Sequence, residues 1–312
     1  MTDHAAHGVM FHHLHGGVHP KVQGSIGAGT LNAMIRWIGT DRVVDAGRWL
    51  DLAKSGRLKG EVCLSFDDTL KCQYDVAMPV LERFGLTAFW YVYTEPWDDR
   101  GGELEVYRLF RTTRFASIEA FYHEFFKLCP ISGHDPSYLK QFSFYTEEDR
   151  KFRYVRDKLL GQERYDGVMR KMMEQDGFDV AKARASLWMS PEDVKTLHGK
   201  GHEIGMHSYT HPTGMADLDP IDQLSEYTSN HADIIDVIDQ APRTMAHPCN
   251  SYSGATLAIL RDFGVEMGWR SNMESKENKS GYEYPRMDSA LVLREMTVAG
   301  SGAGVDETWR LL

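Results

Sequence analysis

The sequence predicts an α/β fold built on a parallel sheet, a barrel or barrel-like, and three observations predict it. Apolar strand-like runs alternate with helix-like segments, the order expected of strand–helix–strand units. The residues most able to do chemistry stand at the C-terminal ends of those runs, where such folds place their active groups. The chain has 312 residues, 42% hydrophobic and 26% charged, an ordinary globular composition with room for one large α/β domain or two small ones.

The elements follow in order. "GVMFHHLH" (8–15) begins as an apolar run and reads as a buried strand ending in histidines. "LNAMIRWI" (31–38) and "AGRWLDLAKSG" (46–56) have helical spacing. "GEVCLSFDD" (60–68) is the clearest strand, an apolar run stopped by two carboxylates. "DVAMPVLERFG" (75–85) reads as a helix closed by Gly85, and "LTAFWYVYT" (86–94) as the next strand. Residues 95–187 change character, being rich in charge and aromatic rings, and are read as a helical insertion within a single domain spanning 1–312. In it Trp97, Tyr107 and Phe110 either stack on a ligand ring or form the insertion's own core. The rhythm then resumes. "SPEDVKTLHGKG" (190–201) is a helix with Ser190 as N-cap and Pro191 in its first turn. Strands at 202–208, 243–248 and 265–270 alternate with helices at about 219–240 and 254–264.

A formal charge of −10 argues against nucleic acid or an anionic membrane as the main partner. No apolar stretch approaches the ~18 residues of a membrane span. The N-terminus lacks the positive start and apolar core of a signal peptide, and Cys63, Cys72, Cys129 and Cys249 show no paired spacing. The expectation is a cytoplasmic chain with reduced thiols. Oligomeric state is not legible.

Asp67 and Asp68 stand side by side at a strand end, where two carboxylates repel unless a cation or proton intervenes. Alone, "FDDT" reads equally as a solvated turn. His207 and His211 are four residues apart, so both imidazoles can face one point. Zinc proteases use that spacing with a Glu between, whereas Ser208, Tyr209 and Thr210 include no base. Joined with one strand-end Asp, the histidines make a three-ligand open metal site, and the other Asp has the task of base. His202 reads as structural. One of His12, His13 and His15 is a candidate acid. "MAHPCNSYSG" (245–254) reads as a pocket wall.

These residues together resemble the NodB-type polysaccharide deacetylases, carbohydrate esterase family 4. "LSFDDTLKCQYDVAMPVLERFGLTAFWYV" is similar to the family's first motif, usually T-F-D-D-G, with its helix and second strand. "MSPEDVKTLHGKGHEIGMHSYTHPTGM" is similar to the helix, strand and H-[ST]-x-x-H of the second. The resemblance covers nearly all of the chain outside 95–187. It implies an irregular (β/α) barrel, a distorted TIM-type fold. It also implies Asp67 as general base and Asp68, His207 and His211 as ligands of a divalent metal, zinc first, with Co2+, Ni2+ and Fe2+ as alternatives.

Three departures stand out. Thr69 occupies the usual Gly position. The third motif, usually R-x-P-[YF]-G, reads Ala246-His247-Pro248-Cys249-Asn250 and lacks its Arg. "YEYPRMD" is similar to a later L-P-R-like segment of divergent members, which implies Arg286 as partner of Asp67. Pro248 and Cys249 remain as the substrate wall, with a backbone N–H for the oxyanion. No histidine follows His247, so the family's C-terminal acid is absent. "VMFHHLH" resembles the M-Y-H segment by which some members carry the acid on their first strand. That implies His12 as the acid, with His13 and His247 as the next candidates.

The expected function is metal-dependent hydrolysis of an N-acyl group, most simply N-acetyl, from an amino sugar, with a nucleotide- or lipid-linked precursor of a surface polysaccharide as the expected substrate. The alternatives are hydrolysis of a non-sugar amide (imide, ureide or formamide) and an inactive carbohydrate-binding homologue. Two His and one carboxylate also suit a non-haem iron oxygenase, although such a site has no need of a second Asp.

Overall fold

The computed structural model describes residues 5–98, 100–130, 135–140, 146–274 and 280–300. The chain divides into two compact units, one formed by the N-terminal segment to His19, Ser25–Gly102 and the chain from Trp188 on, the other by Pro20–Gly24 and Glu103–Leu187.

The first unit opens with β1 (His7–Phe11), the short strands β2 (Leu14–His15) and β3 (Ile26–Gly27), and helices α1 (Ala28–Ile38) and α2 (Ala46–Lys54). β4 (Val62–Asp67), α3 (Met78–Phe84) and β5 (Phe89–Val92) follow. The second unit holds α4 (Glu103–Arg114), α5 (Ile118–Leu128), α6 (Glu147–Tyr154), α7 (Gln162–Asp176) and α8 (Val180–Leu187). The first unit then continues with α9 (Pro191–Gly199), β6 (Glu203–Met206), α10 (Pro220–Ile238) and β7 (Thr244–Ala246). It ends with α11 (Gly254–Asp262), β8 (Met267–Trp269), β9 (Arg286–Asp288) and α12 (Ser289–Val298).

Seven strands run parallel in the order β8-β7-β6-β5-β4-β1-β9. Every residue of β4 and β5 is buried, which is why both read as unbroken apolar runs. Tyr284 bridges Trp269 of β8 just before the chain enters β9 beside β1. The sheet thereby nearly closes on itself, an irregular parallel barrel surrounded by helices. Helix boundaries follow local chemistry. Gly85 caps α3 at φ 65°, a left-handed position natural for glycine. Ser190 and Asp193 form a capping box at the start of α9, with Pro191 in its first turn.

Phe11, Phe66 and Trp90 lie level across β1, β4 and β5 and stack with centroids 5.2 and 4.5 Å apart. Elsewhere in the core Trp49 of α2 packs against Trp269, Phe89 and Tyr284. Two glycines allow close approaches. A Cβ on Gly8 would lie 3.0 Å from the Arg286 side chain and 3.1 Å from Trp269. One on Gly205 would lie 2.4 Å from the Tyr91 ring.

The strand expected over 8–15 divides. β1 leaves its ladder at Phe11, His12 and His13 lie outside any strand, and Leu14–His15 pairs separately with β3. β4 ends at Asp67, so beyond Phe11 little strand remains to pair with. In the second unit, Tyr107 and Phe110 are fully buried beside Tyr165 and Phe178, so they are core of that unit rather than exposed stacking platforms. Trp97 lies in the first unit and donates its indole N–H to the Met189 carbonyl at 3.0 Å.

Candidate active site

Three loops leaving the C-terminal ends of β4, β6 and β7 carry most of the chemistry-bearing side chains. Their backbone is unusual. Of the eight non-glycine residues with positive φ among the described residues, Asp68, Thr69, Ser208, His211, Cys249 and Asn250 fall in these loops. Such conformations persist where surrounding contacts over-determine them, commonly at functional sites.

Thr69 sits at φ 58°, awkward for a β-branched residue. Its hydroxyl donates to the Tyr93 carbonyl and accepts from the Tyr93 N–H, both at 2.9 Å. That clamp to the end of β5 holds the loop without glycine. In the β6 loop, Ser208 Oγ accepts the His211 N–H at 3.1 Å. Glu226 of α10 accepts from the N–H groups of Tyr209 and Thr210 and from the Thr210 hydroxyl at 2.7–3.0 Å. Asn230 of the same helix accepts the His207 N–H and donates to the Val92 carbonyl. Nothing in the sequence marks Glu226 or Asn230, because each acts across the fold on backbone groups.

These supports bring Asp68, His207 and His211 together, with one ligand atom from each within 4.8 Å of the others. Asp68 Oδ1 lies 3.5 Å from His207 Nε2 and 3.3 Å from His211 Nε2. Two ligand atoms bound tetrahedrally at the usual zinc distances are about 3.3 Å apart, so the spacing suits a divalent ion. Asp68 Oδ1 is moreover buried without a hydrogen-bond partner, the state of an acceptor that a cation would satisfy. His207 Nδ1 donates to the Ala246 carbonyl at 2.8 Å, which turns Nε2 toward the cluster. Burial raises the Asp68 pKa, but the charge of His211 and the nearness of His207 outweigh it and hold the carboxyl well below its ordinary value. Burial pulls His207 down, yet Asp68 and Asp67 more than reverse this; for His211 burial prevails and its pKa is lowered. A metal ion would take the place of protons shared among these groups.

Asp67 is the last residue of β4 and almost fully buried. Arg286 of β9, completely buried, donates from Nη1 to Asp67 Oδ1 at 2.7 Å and to Ser65 Oγ at 3.2 Å. Its Nε donates to the Arg270 carbonyl, and the guanidinium lies 5.7 Å from the Tyr91 ring centre. Burial pushes the Asp67 carboxyl up, but Arg286, followed by His207, prevails and holds it below its usual range.

His12 follows β1 and is partly buried. Its carbonyl accepts from Gln73 Nε2 at 2.8 Å, and the same amide donates to the Asp67 carbonyl. His13 is also partly buried. His247 is differently placed: it stacks on Tyr252, donates from Nε2 to the Tyr282 carbonyl, and burial drives its pKa to about 3. His202 likewise is buried, accepts the Ala88 N–H on Nδ1, and is lowered to about 4 by burial. Pro248 is buried, whereas Cys249 is exposed as a residue; partial desolvation around its sulfur, with the Asp68 charge, raises the thiol to about 11.

Residues 161–268 match the family model described as Polysaccharide deacetylase. No curated protein matches the chain. Among solved structures, a deacetylase of Streptococcus pyogenes, PplD, crystallised with acetate, is 13% identical with a TM-score of 0.56, over 92% of this chain and 93% of its own. IcaB from Ammonifex degensii is 14% identical with a TM-score of 0.56, over 99% and 98%. A de-N-acetylase from Aggregatibacter actinomycetemcomitans is 12% identical with a TM-score of 0.54, over 90% and 94%. At these identities the structures speak to the fold, and the matched segment carries the His207–His211 motif. The chain thus shares the fold of these deacetylases, and over residues 161–268 its sequence is similar to the polysaccharide deacetylase family.

Proposed function

We propose that the protein is a metal-dependent deacetylase that removes an N-acyl group, most simply N-acetyl, from an amino sugar. The observation that carries this reading is the pairing of two adjacent carboxylates in different environments. Asp68 joins two imidazoles in a spacing suited to a divalent ion, while Asp67 is held anionic by Arg286 and shares no ligand position with it. The names of the similar structures, a deacetylase and a de-N-acetylase, support the reaction class.

Asp68, His207 and His211 would hold the ion, zinc being suited to this donor set. When bound, it supplies Lewis acidity to the acyl oxygen and acidifies water. Asp67 accepts a proton from the attacking water, and Arg286 keeps that carboxylate ionised and aimed. The tetrahedral oxyanion meets a backbone N–H of the Pro248–Cys249 loop. His12 gives a proton to the leaving amine, so the C–N bond breaks to a neutral amine rather than an amide anion. Activity should fall on the acid side once Asp67 or the ligand histidines are protonated.

The test is acetate release from N-acetylated sugars, with metal content measured alongside. Asp67→Asn should keep the metal and lose about 10²–10⁴-fold in kcat. His207→Ala should lose both metal and turnover. Full activity in Asp67→Asn would remove the mechanism. Sugar-linked and simple amides compared side by side separate the amino-sugar reading from a general amidase.

A further inference from the structure

We propose that Gln73 is a positioning residue that sets the gap between His12 and Asp67, an inference that rests on the deacetylase reading above. The β1–β4 ladder ends at the Phe11–Phe66 pair, one residue short of both. Asp67 is still fixed there, by pairing with Tyr91 of β5 and by Arg286. His12 lies outside any strand. What spans the gap is one side-chain amide. Gln73 Nε2 donates to the His12 carbonyl at 2.8 Å and to the Asp67 carbonyl at 2.5 Å. A primary amide has two N–H donors, one for each carbonyl. The reverse orientation would set its oxygen against two acceptors, so the assignment follows from chemistry.

Gln73 is fully buried, and its Oε1 has no hydrogen-bond partner. A side chain serving stability alone would rarely leave a buried acceptor unpaired. The donors hold two strand ends that the sheet no longer joins, and those ends carry the base and the acid. His12 is the less restrained of the two, so loss of the brace displaces the acid. Misplacement by about 1 Å can cost on the order of 10²-fold in rate.

This makes the effect depend on the leaving group. An N-acetyl amide requires a proton at the departing nitrogen. 4-Nitrophenyl acetate loses a stabilised phenolate that requires none. Gln73→Met keeps the length and removes both donors. On an N-acetylated sugar it should lower kcat roughly 10–100-fold, with KM changed less than about threefold and metal content unchanged. On the aryl ester it should lower kcat less than about threefold. In a His12→Asn background, Gln73→Met should add little to the loss on the amide, since both changes remove the same proton transfer. Gln223→Met is the control, because Gln223 is also buried, donates to the Leu218 carbonyl and accepts from Thr256. It should reduce stability and leave the amide-to-ester ratio unchanged.

Equal losses on amide and ester, or an unchanged kcat in a folded Gln73→Met protein, would overturn the brace while leaving the deacetylase reading intact. Absence of hydrolysis of both substrates by metal-loaded wild type would overturn that reading and the brace with it.

Discussion

Removing the Arg286 guanidinium leaves the Asp67 carboxylate buried without the cation that now holds it ionised. Breaking a buried pair from one side costs about 3–5 kcal/mol, so Arg286→Gln should unfold at markedly lower urea. The pH dependence has a definite sign. The folded pKa of Asp67 is depressed, so its contribution is present above the ordinary carboxylate value of about 3.9 and is lost as pH falls through the folded value. Urea titrations of metal-free wild type should show that loss, and Arg286→Gln should flatten it. Thr69 gives a second test at this scale. Thr69→Gly relieves the strained φ but loses the Tyr93 clamp, whereas Thr69→Val loses the clamp and keeps the strain. Thr69→Val should therefore be the less stable, by roughly 1–2 kcal/mol in the urea midpoint analysis. The Asp pair and the two histidines were legible because their spacing and strand-end position are local properties. Arg286 entered only through resemblance, and Gln73 and Ser65 carried no signal, since their partners are set by sheet order and loop path. His247, conspicuous in sequence as the last histidine, stacks on Tyr252 and bonds the Tyr282 carbonyl, partners that nothing local in the sequence marks.

At the scale of elements, α10 acts as the support for the β6 loop. Its Glu226 and Asn230 stand four residues apart, one helical turn, and reach successive parts of the same loop, His207 through Thr210. Asn230→Asp would replace a donor with an acceptor facing the Val92 carbonyl, so it should be more harmful than loss of the side chain to Ala. Zinc affinity measured by chelator competition should fall about 10–100-fold in Asn230→Asp, the cost typical of disturbing groups that orient ligands. An unchanged affinity would mean that the loop is held without α10. The strands of this region were legible in place, although 202–208 contracts to Glu203–Met206 and 243–248 to Thr244–Ala246. The flanking residues look strand-like because they are buried, but they leave the ladder to form the site loops. β9 and α12 were missed altogether. Three residues, Arg286–Asp288, are too few to make a periodic pattern, and β9 is a strand only because β1 is beside it.

For the whole molecule, the question is whether the barrel unit needs the residues that interrupt it. The chain leaves that unit at Gly102 and re-enters it at Trp188, and these two positions are adjacent: a Cβ on Gly102 would lie 2.1 Å from the Trp188 ring. The re-entry point is firmly held. Trp188 pairs with Leu70, its indole N–H donates to the Tyr93 hydroxyl at 2.8 Å, and the Met189 N–H donates to the Thr69 carbonyl at 2.8 Å. Departure and return are thus fixed against the loop that carries Asp68 by contacts internal to the barrel unit. Closing a short loop between adjacent ends costs little entropy, and the cost grows only slowly with loop length. Replacing Glu103–Leu187 with a few glycines should therefore leave a protein that unfolds cooperatively and binds zinc. Saturating the site at about 100 times its Kd should raise stability by about 2.7 kcal/mol in both the shortened and the full chain, since the ligand residues are all retained. A shortened chain that folds and binds metal yet releases no acetate would assign the excised helices to substrate recognition. One that fails to fold would show that the barrel depends on them for stability, and the adjacency of Gly102 and Trp188 would then reflect a shared fold rather than an insertion point.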